Sequence, residues 1–319
     1  MDVSVETLKQ VLTDPICAEK LENLGKLRHD SEVCGPCQLS AFNDDAKIRR
    51  SFNIKVGPEN YTFLVWCGSQ EEVGLDVQGL MSSCALPPIT NQTGFPTHRA
   101  HTLKQKATLC GPNSRYFHDS CQALGRIHCF IDESFPVGEV RPPGPITFEG
   151  MNMIMAETRI VTPLESTTWT SRLDALGPSI DPDNLLRSLV RSGKYQFTED
   201  NVVEYLEMVP DDIEGSPHIF RQGQLVEMTV NVRALQIAGQ KNVMLHMDSL
   251  ILHDRYGVGL LADTVIQASR STVAPAMAAA PRKRKLTEED IEIDSGGGVR
   301  RCMERMSITV EKEPTVQKE

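Results

Sequence analysis

Residues 224 to 253 constrain the fold most, because they hold two runs of apolar and polar alternation, the mark of strands with one buried face. In the first run Val226, Met228, Val230, Val232 and Ala234 alternate with Glu227, Thr229, Asn231 and Arg233. In the second, Val243, Leu245, Met247 and Ile251 alternate with Met244, His246, Asp248 and Leu250. Gly239-Gln240, glycine first, suits a type II′ turn between them. That turn sets Val232 opposite Met247 and Met228 opposite Ile251, core against core, with Arg233 beside His246 and Asn231 beside Asp248. Asn231, Arg233, His246 and Asp248 are therefore a candidate ligand-contacting β-face. The fold class that follows is α+β, an antiparallel sheet or small partly open barrel with helical hairpins, plus a disordered C-terminal tail.

The remaining elements are read from local signals. Val5, Leu8 and Leu12 mark one helix face, and Asp14-Pro15 caps a second helix ahead of Cys17, Leu21 and Leu24. Phe52, Ile54 and Val56, a Gly57-Pro58-Glu59-Asn60 turn, and Tyr61, Phe63 and Val65 predict a β-hairpin. Residues 82–145 are rich in Pro, Gly, Cys and His and read as a partly irregular insertion with short helices near Cys121. Arg141-Pro142-Pro143-Gly144-Pro145 stops both helix and sheet, so it is the best internal boundary candidate, between domains or as a loop within one. The spacing predicts a helical hairpin from 184–190 and 198–208, with Thr198 as N-cap. Such a pair resembles a helix-turn-helix reader of DNA, but it is equally ordinary core filler. The organisation expected is 1–140, an N-terminal α+β region; 146–263, the helical and β-hairpin region; and 264–319, a disordered tail.

Charge narrows the partners. The 319 residues carry a formal charge of −10, and the tail from Thr264 holds ten Lys/Arg and nine Asp/Glu, so the acidity sits almost wholly in the body. An acidic body repels phosphate at long range and leaves only a local basic strip for nucleic acid. No leader-like N-terminus and no apolar run of about 18 residues is present, so neither secretion nor a membrane partner is expected. Nine cysteines, an odd number, fit reduced thiols better than a disulfide framework.

Chemistry has few footholds. Cys34-Gly35-Pro36-Cys37 matches the dithiol motif of thioredoxin-like oxidoreductases, but the polar residues before it are not the buried strand that such a site needs. The same pair could form half of a tetrahedral zinc site with His118 and Cys121, giving a zinc-stabilised protein-interaction module. No phosphate-binding glycine loop, nucleophile elbow or HExxH motif occurs. A hairpin with a polar outer face is also part of an oligonucleotide/oligosaccharide-binding barrel, although this one lacks the aromatics that stack bases. In the tail, Arg282, Lys283, Arg284 and Lys285 form an exposed basic cluster that a nuclear import carrier can read. Thr287, ahead of Glu288, Glu289 and Asp290, is a candidate phosphosite beside that cluster.

Gly223-Gln224-Leu225-Val226-Glu227, then Lys241, Met244 and Leu250-x-Leu252-x-Asp254, resemble a pattern in uncharacterised proteins of mushroom-forming fungi. The resemblance spans residues 223–254 and implies a eukaryotic, cytosolic or nuclear setting, with no activity and no functional residue to carry over. Taken together, the sequence predicts a non-enzymatic nuclear binding or scaffolding protein associated with DNA or chromatin.

Overall fold

The computed structural model describes residues 5–57, 61–69, 71–90, 97–142, 147–166, 171–173, 177–208 and 213–272. In chain order the elements are α1 (Val5–Leu12), α2 (Pro15–His29), α3 (Asp45–Ser51), β1 (Phe52–Val56), β2 (Thr62–Trp66), β3 (Gly74–Ala85), β4 (Lys104–Cys110) and α4 (Arg115–Asp132). Then come β5 (Thr147–Phe148), β6 (Met151–Arg159), β7 (Thr162–Pro163), α5 (Leu185–Arg191), β8 (Tyr195–Gln196), β9 (Glu204–Glu207), β10 (Ile213–Glu214), β11 (Leu225–Ile237), β12 (Gln240–Asp254) and α6 (Tyr256–Thr272). The fold class is α+β with a large antiparallel sheet. Among the described residues, no helix is long and apolar enough to cross a membrane.

The sheet runs in the order β10-β9-β12-β11-β3-β4-β6-β5, so strands from before and after residue 141 interleave in one layer. The order β11-β3-β4-β6 is a Greek key: the fourth strand of the set returns to lie beside the first. β12 then pairs with β11, and its far side meets β6 again. The backbone ladder does not close there. Instead the Thr158 hydroxyl donates to the Met247 carbonyl at 2.6 Å and accepts from the Met247 amide at 3.0 Å. Five strands thus form a partly open barrel, filled by Leu75, Val77, Met81, Leu109, Ile154, Val226, Met228, Val232 and Met247 with α4 packed against them. A second apolar cluster, from Leu8, Leu12, Leu21, Leu80, Cys110 and Leu261, lies between α1, α2 and α6 and the outside of the sheet.

Several sequence signals hold. The Asp14 carboxylate accepts from the Ile16 and Cys17 amides, capping α2 with Pro15 in its first turn. β1 and β2 form the expected hairpin, with Phe52 opposite Trp66 and Val56 opposite Thr62. β11 and β12 pair as expected, but their turn is Ala238-Gly239, both with positive φ (51° and 88°), closing the loop between Ile237 and Gln240. Positive φ at both central residues is the type I′ geometry that matches strand twist. The register near the turn therefore differs by two residues, which preserves every face: Val232 lies opposite Leu245 and Asn231 opposite His246. A register shift between the Thr229 and Val230 pairs leaves Asp248 unpaired and reverses the alternation beyond it. Leu250 and Leu252 are consequently buried where Ile251 was expected.

Two expectations are corrected. Residues 198–208 are not a helix: Thr198 and Asn201 form a capping box on a single 3₁₀ turn, and β9 follows, paired parallel with β12. Val202, Val203 and Leu206 mimic helical spacing, but the buried pair is Val203 and Tyr205, a period of two. The helix expected near Cys121 is present but long, 18 residues from its Ser114 cap, and the segment also holds the end of β3 to Ala85 and all of β4. Phe117, Ser120, Ala123, Ile127 and Ile131 supply the buried helical stripe that the scattered Cys and His obscured. α6 runs from Tyr256 to Thr272.

Candidate nucleic-acid interface

Alternation along β11 sends Glu227, Thr229, Asn231 and Arg233 to the outside of the barrel, beside Gln78 and Asp76 of β3. This is the polar face foreseen from sequence, yet it is mostly covered. Asn231, Arg233 and His246 are all buried, and only Asp248 of the four is exposed. Arg233 donates from Nε and Nη2 to the two carboxylate oxygens of Glu72 (2.6 and 2.9 Å) and from Nη1 to Asp200 at 2.7 Å. The guanidinium fork fits a carboxylate edge in this two-point geometry. Burial raises the Glu72 and Asp200 carboxyls while Arg233 opposes it. Burial, and then the same guanidinium, hold His246 well below the usual imidazole range, so it is neutral, 3.7 Å from Asp200. The group clamps the strand β11 to the 199–201 turn and to the segment before β3.

A second polar group lies further along the same face, under α2. Arg28 Nε stands 2.8 Å from Glu227, which also accepts from Gln78 at 2.7 Å. Ser249 donates to Thr229, and Thr229 donates to Asp76, each at 2.8 Å. Burial first, then Glu227, push the Asp76 carboxyl up to about 6, and burial lowers His253 to about 4. Glu72, Asp200, Asp76 and Arg28 were missed in the sequence because each is distant along the chain from the strand it serves.

The cysteine readings are not assembled. Cys34-Gly35-Pro36-Cys37 forms a 3₁₀ turn, in which burial raises the Cys37 thiol rather than activating it. His118 and Cys121 sit on α4; His118 Nε2 pairs with the Gln122 amide at 2.7 Å, and burial raises Cys121 to about 11. Among the described residues no three His, Cys, Asp or Glu side chains converge on a metal position, so Cys34, Cys37, His118 and Cys121 do not form a zinc site. Arg282, Lys283, Arg284, Lys285 and Thr287 lie outside the described residues.

A less covered part of the outer surface is on β4 and β6, where Lys104, Lys106, Met155, Glu157 and Arg159 are half-buried and Thr108 is buried. Ala107 and Leu109 of β4 and Ile154 and Ala156 of β6 point into the barrel. Their alternates pair across the strands on the outside: Lys104 with Arg159, Lys106 with Glu157, Thr108 with Met155, and Cys110 with Met153. The helical cluster covers the Cys110 and Met153 end. Toward the other end the face carries three cations, Lys104, Lys106 and Arg159; Glu157 pairs with Lys104, and the charge of Arg159 also acts on Asp200. A small module borders that end, in which Ala100, Ile160, Val161, Leu186, Tyr195 and Phe197 share a core. It includes residues 86–90 and 97–103 between β3 and β4, tied down by the Ile160 amide to the Leu103 carbonyl at 3.2 Å and the Ile89 amide to the Ile180 carbonyl at 2.8 Å. The alternation of Lys104 and Lys106 was the sequence signal for this strip, hidden inside a segment read as irregular.

No family model matches the chain. No curated protein matches it either. Among solved structures, the single-stranded DNA-binding protein of bacteriophage Enc34 aligns at 14% identity over 64% of this chain and 94% of that one, with a TM-score of 0.31. The single-stranded DNA-binding protein encoded by bacteriophage T7 aligns at 10% identity over 57% and 91%, with a TM-score of 0.32. Scores this low establish neither a common fold nor a common function.

Proposed function

We propose that this chain is a non-enzymatic binding protein that holds single-stranded nucleic acid across the outer face of β4 and β6. The supporting observation is the basic strip Lys104, Lys106 and Arg159 on the second and third strands of a partly open Greek-key barrel. In barrels of this architecture that face and the loop between the first two strands meet oligonucleotides. The loop between the fourth and fifth strands is only Ala238-Gly239, so here the grip falls to the β3–β4 connection. The outer positions of β4 and β6 offer Met155 rather than an aromatic, so backbone charge and not base stacking supplies the affinity. The acidic body confines contact to this strip and keeps affinity modest. We place this work in the nucleus, with the Arg282–Lys285 cluster as the address and DNA or chromatin as the setting.

Anisotropy of a labelled thymidine strand of about 20 nucleotides tests the proposal. Three phosphate contacts on a single strand give a slope near −2 in log affinity against log salt, a loss of about 15-fold between about 50 and about 200 mM. Replacing Lys104 and Lys106 together by Ala leaves about one contact and flattens the slope below ~1. An unchanged slope in that variant, or no binding by the wild-type chain at low salt, refutes the assignment.

A further inference from the structure

We infer that a second site, independent of the β4–β6 strip, takes a nucleotide in the pocket between the Cys34–Cys37 turn, α3 and the end of β2. The pocket measures about 510 Å³, and its lining includes His29, Glu32, Pro36, Phe42, Lys47 and Trp66. That volume falls within the range of small-molecule sites, about 300–1,000 Å³.

Its apolar side is rigid. Phe42 and Phe52 are fully buried and hold the Trp66 ring at centroid distances of 6.2 and 5.2 Å, while Trp66 itself is half-buried. An indole fixed in this way is a preformed stacking surface for a planar base, with little side-chain freedom left to lose. Its polar side is Lys47, whose Nζ stands 4.7 Å from the Phe42 ring centroid. Burial lowers the Lys47 ammonium, with Asp44 opposing at longer range, and among the described residues Lys47 makes no ion pair. A partly desolvated ammonium over an aromatic ring, without a carboxylate in contact, is suited to an incoming phosphate. The exposed Glu32 carboxylate on the rim disfavours a long phosphate chain, so a monophosphate unit fits best.

The Cys-Gly-Pro-Cys sequence then has a geometric reason. A Cβ on Gly35 would lie 2.6 Å from the His29 carbonyl oxygen, so only glycine lets the turn approach the end of α2 and shape the wall. Pro36 stiffens the same wall.

The nucleotide could be free or one unit of a bound strand. Full-length protein would be titrated with adenosine monophosphate, adenosine and inorganic phosphate, following tryptophan fluorescence, and then with an oligodeoxyadenylate. The proposal expects the monophosphate to quench at lower concentration than either part alone. Lys47→Met should weaken it about tenfold or more, while circular dichroism and the melting temperature stay near wild type. Trp66→Phe should remove the signal change yet keep binding detectable by equilibrium dialysis. A free nucleotide is the source if Lys47→Met leaves oligonucleotide binding intact, and a strand nucleotide if it weakens both. Monophosphate binding that is equal in wild type and folded Lys47→Met, or absent from both, overturns the site. Replacing Lys104 and Lys106 by Ala leaves monophosphate binding unchanged, which separates failure of this pocket from failure of the strip.

Discussion

Asp76→Asn isolates the energetic cost of placing a carboxylate on the outer face of the barrel. The substitution keeps a carbonyl oxygen to accept from Thr229, which lies 2.8 Å away, and removes only the ionisation. Burial raises the Asp76 carboxyl from 3.8 to about 6, so folding favours its protonated form. A raised folded-state value means that the stability from this group is fully present below pH 3.8 and is lost as pH rises through about 6. At about 1.4 kcal/mol per pH unit, the loss approaches 3 kcal/mol by neutral pH, an upper figure because the chain relaxes around the charge. Histidine works the other way in the same window. His253, lowered from 6.5 to about 4, contributes stability that is present above pH 6.5 and lost as pH falls toward 4. In the wild type the two effects offset each other; in Asp76→Asn the histidine effect loses that counterweight, while the other shifted groups are common to both proteins. Urea midpoints from pH 4 to 8 should therefore show the variant close to wild type at the acid end and more stable by about 2–3 kcal/mol above pH 7. Parallel profiles for the two proteins across this range would refute the reasoning, since they would mean that Asp76 titrates alike in the folded and unfolded chains.

Other variants probe the frame. Arg233→Met leaves the half-buried Glu72 and Asp200 without their counter-ion and should cost about 2–4 kcal/mol, somewhat under the figure for a fully buried pair, measured by chemical denaturation at neutral pH and partly recovered at acid pH, where those raised carboxyls protonate. Thr158→Val removes the two hydrogen bonds that tie β6 to the Met247 backbone of β12 and should destabilise by about 1–3 kcal/mol, with amide exchange quickening first at Met247. Ala238→Asn places a residue tolerant of positive φ at a turn position with φ of 51° and should raise stability by about 0.5–1 kcal/mol, read from the thermal midpoint.

The sequence by itself determined the elements whose signals are local. The Asp14-Pro15 cap depends on backbone amides two and three residues away, the β1–β2 hairpin on its own alternation, and the faces of β11 and β12 on period two. The cap and the β1–β2 hairpin survive whole, and the β11–β12 faces survive from the turn as far as Asp248, because no distant partner has to agree with them. Even the two-residue difference at Ala238-Gly239 leaves the faces intact, since strands repeat every two residues. Tertiary structure decided what those faces meet. Asn231, Arg233 and His246 read as a solvated ligand surface, yet all three are buried, with Arg233 ion-paired to Glu72 and Asp200, and nothing near residue 233 announces a carboxylate 161 positions earlier in the chain. Segment 198–208 became a strand because β12 offered an edge with which Glu204–Glu207 could pair, a choice invisible in a short apolar run compatible with either period. The strip Lys104, Lys106 and Arg159 exists only where β4 and β6 lie side by side. Long-range pairing gathers cations from two segments about fifty residues apart onto one face, and a one-dimensional chain cannot display that proximity.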